Sequence, residues 1–168
     1  MTPDSQPKSV HLIEQFALTV FTANDLLMQN GDRLTKDLGQ SSARWQVLGR
    51  VYHQPQTVAG IARTMGHARQ SVQRIADALA ADGLVIFKDN PADRRTKLLQ
   101  VTPEGERILQ QIALRNAAWA EAVITKLDLR QLEEVVTGLT SIAEVMAANL
   151  YISTMSDQLK NKEERHAR

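Results

Sequence analysis

The spacing of apolar residues predicts a mainly α chain interrupted once by a short β-hairpin. Three observations carry this. Apolar residues recur at steps of three and four over most of the 168 residues. The pattern changes to β-prone runs only between Leu84 and Val101. Aromatic residues make up 4% of the chain, whereas Ala and Leu are abundant, and hydrophobic residues at 43% are enough for a core.

Residues 1–8 read as a disordered arm. From Ser9 to about Asn30 a helical stripe of Ile13, Phe16, Ala17, Val20, Asn24 and Leu27 is mostly apolar, and Asn30-Gly31-Asp32 reads as its stop and turn. A short amphipathic piece follows at Leu34–Leu38. Ser41 is a candidate N-cap for a helix through Val51 that carries Trp45, Val47 and Leu48 and ends before Pro55. Thr57 is a second candidate cap, ahead of Val58, Ile61, Ala62 and Met65, with Gly66 as the stop. A third helix is predicted over about 68–81, with Val72, Ile75, Ala76 and Leu79 inward, closed by Asp82-Gly83.

Leu84–Phe87 and Thr96–Val101 then form the hairpin, with turn chemistry at Asp89-Asn90-Pro91-Ala92-Asp93. Thr102-Pro103-Glu104 is a helix start: a capping hydroxyl, a proline at the first position and an acid at the positive end of the helix dipole. That helix is expected to reach Lys126. Asp128 caps a last helix with the stripe Leu132, Val135, Val136, Leu139, Ile142, Ala143, Met146 and Leu150, and the charged tail from Asp157 is expected to fray.

Composition excludes several functions. The absence of cysteine removes disulfides, thiol redox sensing and Cys-ligated zinc. No apolar run approaches the roughly 18 residues of a membrane span, and residues 1–10, with Pro3, Asp4 and Pro7, do not read as a signal peptide. A cytoplasmic protein with no membrane partner is expected. The four histidines, His11, His53, His67 and His166, show no metal-ligand spacing. No Ser-His-Asp or Cys-His arrangement and no glycine-rich phosphate loop is present. Neither an enzyme, a metal site nor a cofactor is expected.

The net charge of +1 hides an uneven distribution. Between Thr57 and Gln100 seven basic residues face four acids, while the flanks carry 13 basic and 15 acidic residues. The basic middle coincides with a helix, a tight turn at Gly66, a second helix and a β-hairpin, the order of a winged helix-turn-helix. In such a unit the second helix enters the major groove. Its outward side here offers Arg69, Gln70, Gln73, Arg74 and Asp77, with Ser71 near the N-terminal edge. Arg can pair with guanine and Gln with adenine, and Ser71 can bind phosphate. The same face reads equally well as an ordinary solvated helix surface, because Arg and Gln are good helix formers. The hairpin tip separates the two readings. Folding does not require Asp93-Arg94-Arg95 there, whereas Arg94 or Arg95 could reach phosphate or the minor groove while Asp93 orients an arginine.

The ordered set of these segments is similar to the MarR family of dimeric winged-helix transcriptional regulators. It comprises Ser41-Ser42-Ala43-Arg44-Trp45-Gln46-Val47-Leu48, Thr57-Val58-Ala59-Gly60-Ile61-Ala62, Arg69-Gln70-Ser71-Val72-Gln73-Arg74, Asp82-Gly83-Leu84-Val85, Asp93-Arg94-Arg95 and Leu99-Gln100-Val101-Thr102-Pro103-Glu104-Gly105. The resemblance implies a dimerisation region at 9–40, a DNA-binding lobe at 41–102 and C-terminal dimerisation helices at 103–156. It also implies that Arg69–Arg74 contact bases and phosphates, and that Arg95, held by Asp93, enters the minor groove. A homodimer would then read a pseudo-palindrome with half-sites roughly 34–36 Å apart, in most such proteins as a repressor. Release by a small aromatic ligand is implied as well. Trp45 and Trp119 are placed near the crevice that would hold it, both reading more readily as core residues, and Arg44 is a candidate partner for the ligand's carboxylate. The chain departs from the pattern at Ala68, where Ser or Thr is frequent, at Arg44, where Gln is common, and at Gln73, where Thr is frequent. A non-specific architectural DNA binder and a protein-binding winged helix are the alternatives.

Overall fold

A computed structural model describes residues 7–166, with side chains as far as residue 149. The element order is α1 (Lys8–Thr35), a 3-10 turn (Lys36–Leu38), α2 (Ser42–Arg50), β1 (Gln56–Thr57), α3 (Val58–Met65), α4 (Arg69–Ala81), β2 (Val85–Asp89), β3 (Lys97–Val101), α5 (Pro103–Ile124) and α6 (Leu129–His166). Most of the arm expected at the N-terminus lies outside the described residues, and Lys8 is already helical.

Two compact units divide the chain, residues 1–117 and 118–168. In the first, Val47, Leu48, Ile61, Val72, Ala76, Leu79, Val85, Leu99 and Ile112 form a core in which each is buried. Each comes from the apolar side of its own element, so the inward stripes of α2, α3, α4 and α5 meet over one face of the sheet. In the second, α6 leaves Val135, Val136, Leu139, Ile142 and Met146 exposed.

Gly31 does not make the expected turn. The helix α1 runs through it to Thr35, and the chain stops at Gly39, whose φ of 67° is open to glycine. The reason for Gly31 is close approach: a Cβ there would lie 1.9 Å from Ser42 Oγ. The crossing is tied by the Ser42 N–H donating to Asp32 Oδ1 at 2.7 Å and the Ser42 hydroxyl donating to the Met28 carbonyl at 3.0 Å. From the other side Arg115 Nη1 donates to the Leu34 carbonyl at 2.9 Å, placing a cation at the negative end of α1.

The caps expected at Ser41 and Thr57 are present; their hydroxyls accept from the N–H groups of Arg44 and Gly60. Thr102 also caps as expected, accepting the Gly105 N–H at 3.1 Å while donating to the Gly83 carbonyl at 2.7 Å. Beside it, a hydrogen bond from Arg107 holds the Glu104 carboxyl below the ordinary carboxylate range.

The sheet has three antiparallel strands in the order β1-β3-β2, not the two of a hairpin. Gln56 pairs with Leu99 and Thr57 with Leu98. Two residues carry no period, so β1 has no signature of its own; it forms because β3 offers it an open edge. At the other end of the chain, helix continues to His166 where fraying was expected. The segment is rich in Lys, Glu and Arg, which are strong helix formers.

Candidate nucleic-acid interface

The helix-turn-helix is built on Gly66. Its φ of 65° ends α3, and its N–H and that of His67 close the last carbonyls of that helix. Three residues after Gly66, α4 begins at Arg69. Its N-cap position, Ala68, has extended backbone (φ −63°, ψ 134°) but no side-chain acceptor. Val72, Ala76 and Leu79 anchor the inner side, so Arg69, Gln70, Ser71 and Arg74 are left exposed and Gln73 half-buried. Gln73 Nε2 donates to Asp77 Oδ1 at 2.8 Å.

The wing tip is a hydrogen-bonded knot. Asn90 Oδ1 accepts the Ala92 N–H at 3.0 Å, and Asn90 Nδ2 donates to Thr96 Oγ1 at 2.9 Å. Asp93 Oδ1 accepts the Arg95 backbone N–H at 3.0 Å, and the Thr96 N–H donates to the Asp93 carbonyl at 3.0 Å. Asp93 therefore shapes the backbone that carries Arg95. The salt bridges found among the described residues do not join Asp93 to either arginine side chain. Asp93 is expected from the sequence to orient an arginine side chain; the bond in the structure is to the Arg95 main chain.

Between α4 and the wing lies a cleft of about 280 Å³ lined by Thr57, Val58, Ala59, Arg69, Gln73, Phe87, Arg95, Thr96 and Lys97. It brings together three of the expected residues, Arg69, Gln73 and Arg95, from segments far apart in sequence. Gln70, Ser71, Arg74, Asp93 and Arg94 lie outside its lining. Arg69, Arg95 and Lys97 line it together with Thr57 and Thr96, and Lys97 Nζ is paired with Asp89 Oδ1 at 3.4 Å; the two arginines suit an oxyanion such as a backbone phosphate. Lys97, Thr57 and Thr96 were missed from sequence. In the sequence Thr57 reads as a cap and as part of the family pattern, and Lys97 as one of the seven basic residues between Thr57 and Gln100. The signal that could have found Lys97 is the alternation along β3, which sends Leu99 and Val101 inward.

Arg44 and Trp45, adjacent in sequence, diverge. Arg44 Nε donates to Gln40 Oε1 at 2.8 Å, and its Nη2 pairs with the carboxylate of Asp82 at the end of α4. Trp45 instead lines a second cleft of about 420 Å³ with Gly49, Tyr52, His53, Leu109, Gln110, Ala113, Asn116 and Ala117. Arg44 is not part of that lining. Among the described residues no group of acids and histidines could hold a metal ion, and no helix is long and apolar enough to cross a membrane.

Comparison with known proteins agrees with this geometry. The profile described as "MarR family" matches residues 38–96, which span α2 to the wing. A protein of Mycobacterium tuberculosis is 38% identical over 115 residues, covering 66% of this chain and 80% of its own. Among solved structures, the transcriptional regulator BldR from Sulfolobus solfataricus superposes with a TM-score of 0.73 at 20% identity, over 83% of this chain and 99% of its own. MarR of Staphylococcus aureus, in complex with salicylate and kanamycin, gives a TM-score of 0.71 at 20% identity over 81% and 93%. At such identities these two show a common fold. The chain belongs to the MarR family of DNA-binding transcriptional regulators.

Proposed function

We propose that this chain acts in the cytoplasm as a homodimeric, sequence-specific regulator, a repressor, on a pseudo-palindromic operator in double-stranded DNA. The observation that carries the reading is the cleft joining Arg69 and Gln73 of α4 to Arg95 and Lys97 of the wing. A helix in the major groove with a wing beside it meets the phosphate backbone between them, and this cleft supplies the cations there. Gln70, Ser71 and Arg74 lie exposed on the same helix, available for bases and phosphates, and Arg94 and Arg95 lie exposed on the wing. Asp93 positions Arg95 through the main chain.

The homodimer is supported by apolar surface. On α1, Leu12, Leu18, Phe21 and Leu26 are each more than 60% exposed, and α6 adds Val135 at 62%. Stripes of this kind on a chain of this size call for a partner surface. A second copy brings a second α4, which a pseudo-palindrome would match.

A small aromatic effector is supported by the cleft at Trp45, where Tyr52, His53 and Asn116 add polar groups around an apolar floor. Trp45 is assigned to that ligand; Arg44 is assigned to Asp82.

Gel-shift against the DNA upstream of the chain's own coding sequence, with excess random competitor, tests the central reading. Retention of the shifted band is expected. Equal competition by random DNA would mark an architectural, non-specific binder. Titration of tryptophan fluorescence with salicylate tests the effector: quenching together with loss of the shifted band is expected, and neither effect would remove the ligand from the proposal.

A further inference from the structure

The pair Gln73–Asp77 stands apart from the rest of the DNA-facing surface. Asp77 is the one acid on α4, and it sits on a face that otherwise offers Arg69, Gln70, Ser71 and Arg74. A carboxylate facing phosphates lowers affinity, so attraction for DNA does not account for it. Its partner does: Gln73 Nε2 donates to Asp77 Oδ1 at 2.8 Å, one helical turn away.

That bond decides which end of the amide points where. A carboxylate only accepts hydrogen bonds, whereas the two ends of an amide differ, one accepting and the other donating. Turned over, Gln73 would set its Oε1 against Asp77, acceptor against acceptor. Held as it is, Gln73 has one Nε2 proton tied to Asp77 and presents the second proton beside Oε1. One donor next to one acceptor is the complement of the major-groove edge of adenine, which offers the N6 amine and N7. The same edge of guanine offers two acceptors, O6 and N7, and leaves Oε1 facing one of them.

We propose that Asp77 is a positioning residue for base recognition: by fixing the Gln73 amide it makes α4 select adenine over guanine at one base pair in each half-site. This rests on α4 being the recognition helix. An amide released from Asp77 has both Nε2 protons free and can set them against the two acceptors of guanine as well as setting one proton and Oε1 against adenine.

Selection of binding sites from random-sequence duplex DNA, with the full-length chain, tests the inference. Wild type, Asp77→Ala and Gln73→Ala are compared by sequencing the bound pool. In wild type, one position per half-site is expected to prefer adenine to guanine by at least about fivefold, the lower range for a good bidentate contact. Gln73→Ala identifies that position by abolishing the preference. Asp77→Ala is expected to reduce it to less than about twofold at the same position and to leave the other positions unchanged. A simple surface pair on the helix would not move the preference at a single base.

The inference is overturned if the adenine preference survives Asp77→Ala, if Asp77→Ala alters all positions alike, or if no adenine preference depends on Gln73. Failure of the wider reading looks different: wild type then enriches no motif, and the recognition-helix assignment falls together with this one.

Discussion

Asp93 Oδ1 accepts the Arg95 backbone N–H at 3.0 Å, so the acid of the wing acts on the main chain of the arginine that follows it. The consequence separates geometry from charge. Asp93→Asn keeps an oxygen of the same reach and is expected to retain DNA affinity, or to gain slightly from losing a negative charge. Asp93→Ala loses the bond, whose net value is about 0.5–1.5 kcal/mol, and is expected to bind roughly two- to tenfold more weakly than Asp93→Asn. Fluorescence anisotropy with a labelled operator checks both. Equal losses in the two variants would assign the effect to the carboxylate charge instead.

Arg69 of α4 and Arg95 of the wing line the same cleft. If they neutralise phosphates, removing either weakens binding across sequences rather than at one base. Arg69→Ala and Arg95→Ala are each expected to lower the slope of log K against log salt by about 0.9. Titrations at several salt concentrations measure this. An unchanged slope with altered base preference would instead make that arginine a base reader.

Gly105, in the first turn of α5, packs closely against the chain that leads into β2. A Cβ there would lie 2.1 Å from the Leu84 carbonyl oxygen and 2.8 Å from a Val101 methyl. The first neighbour is backbone and cannot swing aside. Gly105→Ala is expected to destabilise the fold by at least about 1–3 kcal/mol, read from the urea midpoint, because the start of α5 must move away from β2.

Ala68 offers the opposite opportunity. Its backbone is already extended at the N-cap of α4, and no side chain accepts from the first turn. Ala68→Ser is expected to stabilise the chain by about 1 kcal/mol, again measured in urea. No gain would indicate that the hydroxyl fails to reach the N–H groups of the first turn.

What the sequence by itself determined is whatever is settled within a few residues. The bounds of α4, its polar outward side, the caps at Ser41, Thr57 and Thr102 and the stop at Gly66 all depend on hydrogen bonds and side-chain spacing inside one turn or one element. The order of those signals was also enough to show the winged helix-turn-helix. What only the tertiary structure decided depends on residues distant in the chain. Gly31 resembles a helix stop locally, yet it sits inside α1, and its missing side chain serves the close approach of Ser42. The strand β1 exists only beside β3. Arg44 turns toward Asp82, 38 positions away, while its neighbour Trp45 turns toward α5. Arg69, Gln73, Arg95 and Lys97 become one cleft only when α4 and the wing pack on a shared core. Side-chain periodicity states which face of an element is apolar; it does not state which other element will cover that face, and so it cannot bring two polar faces together.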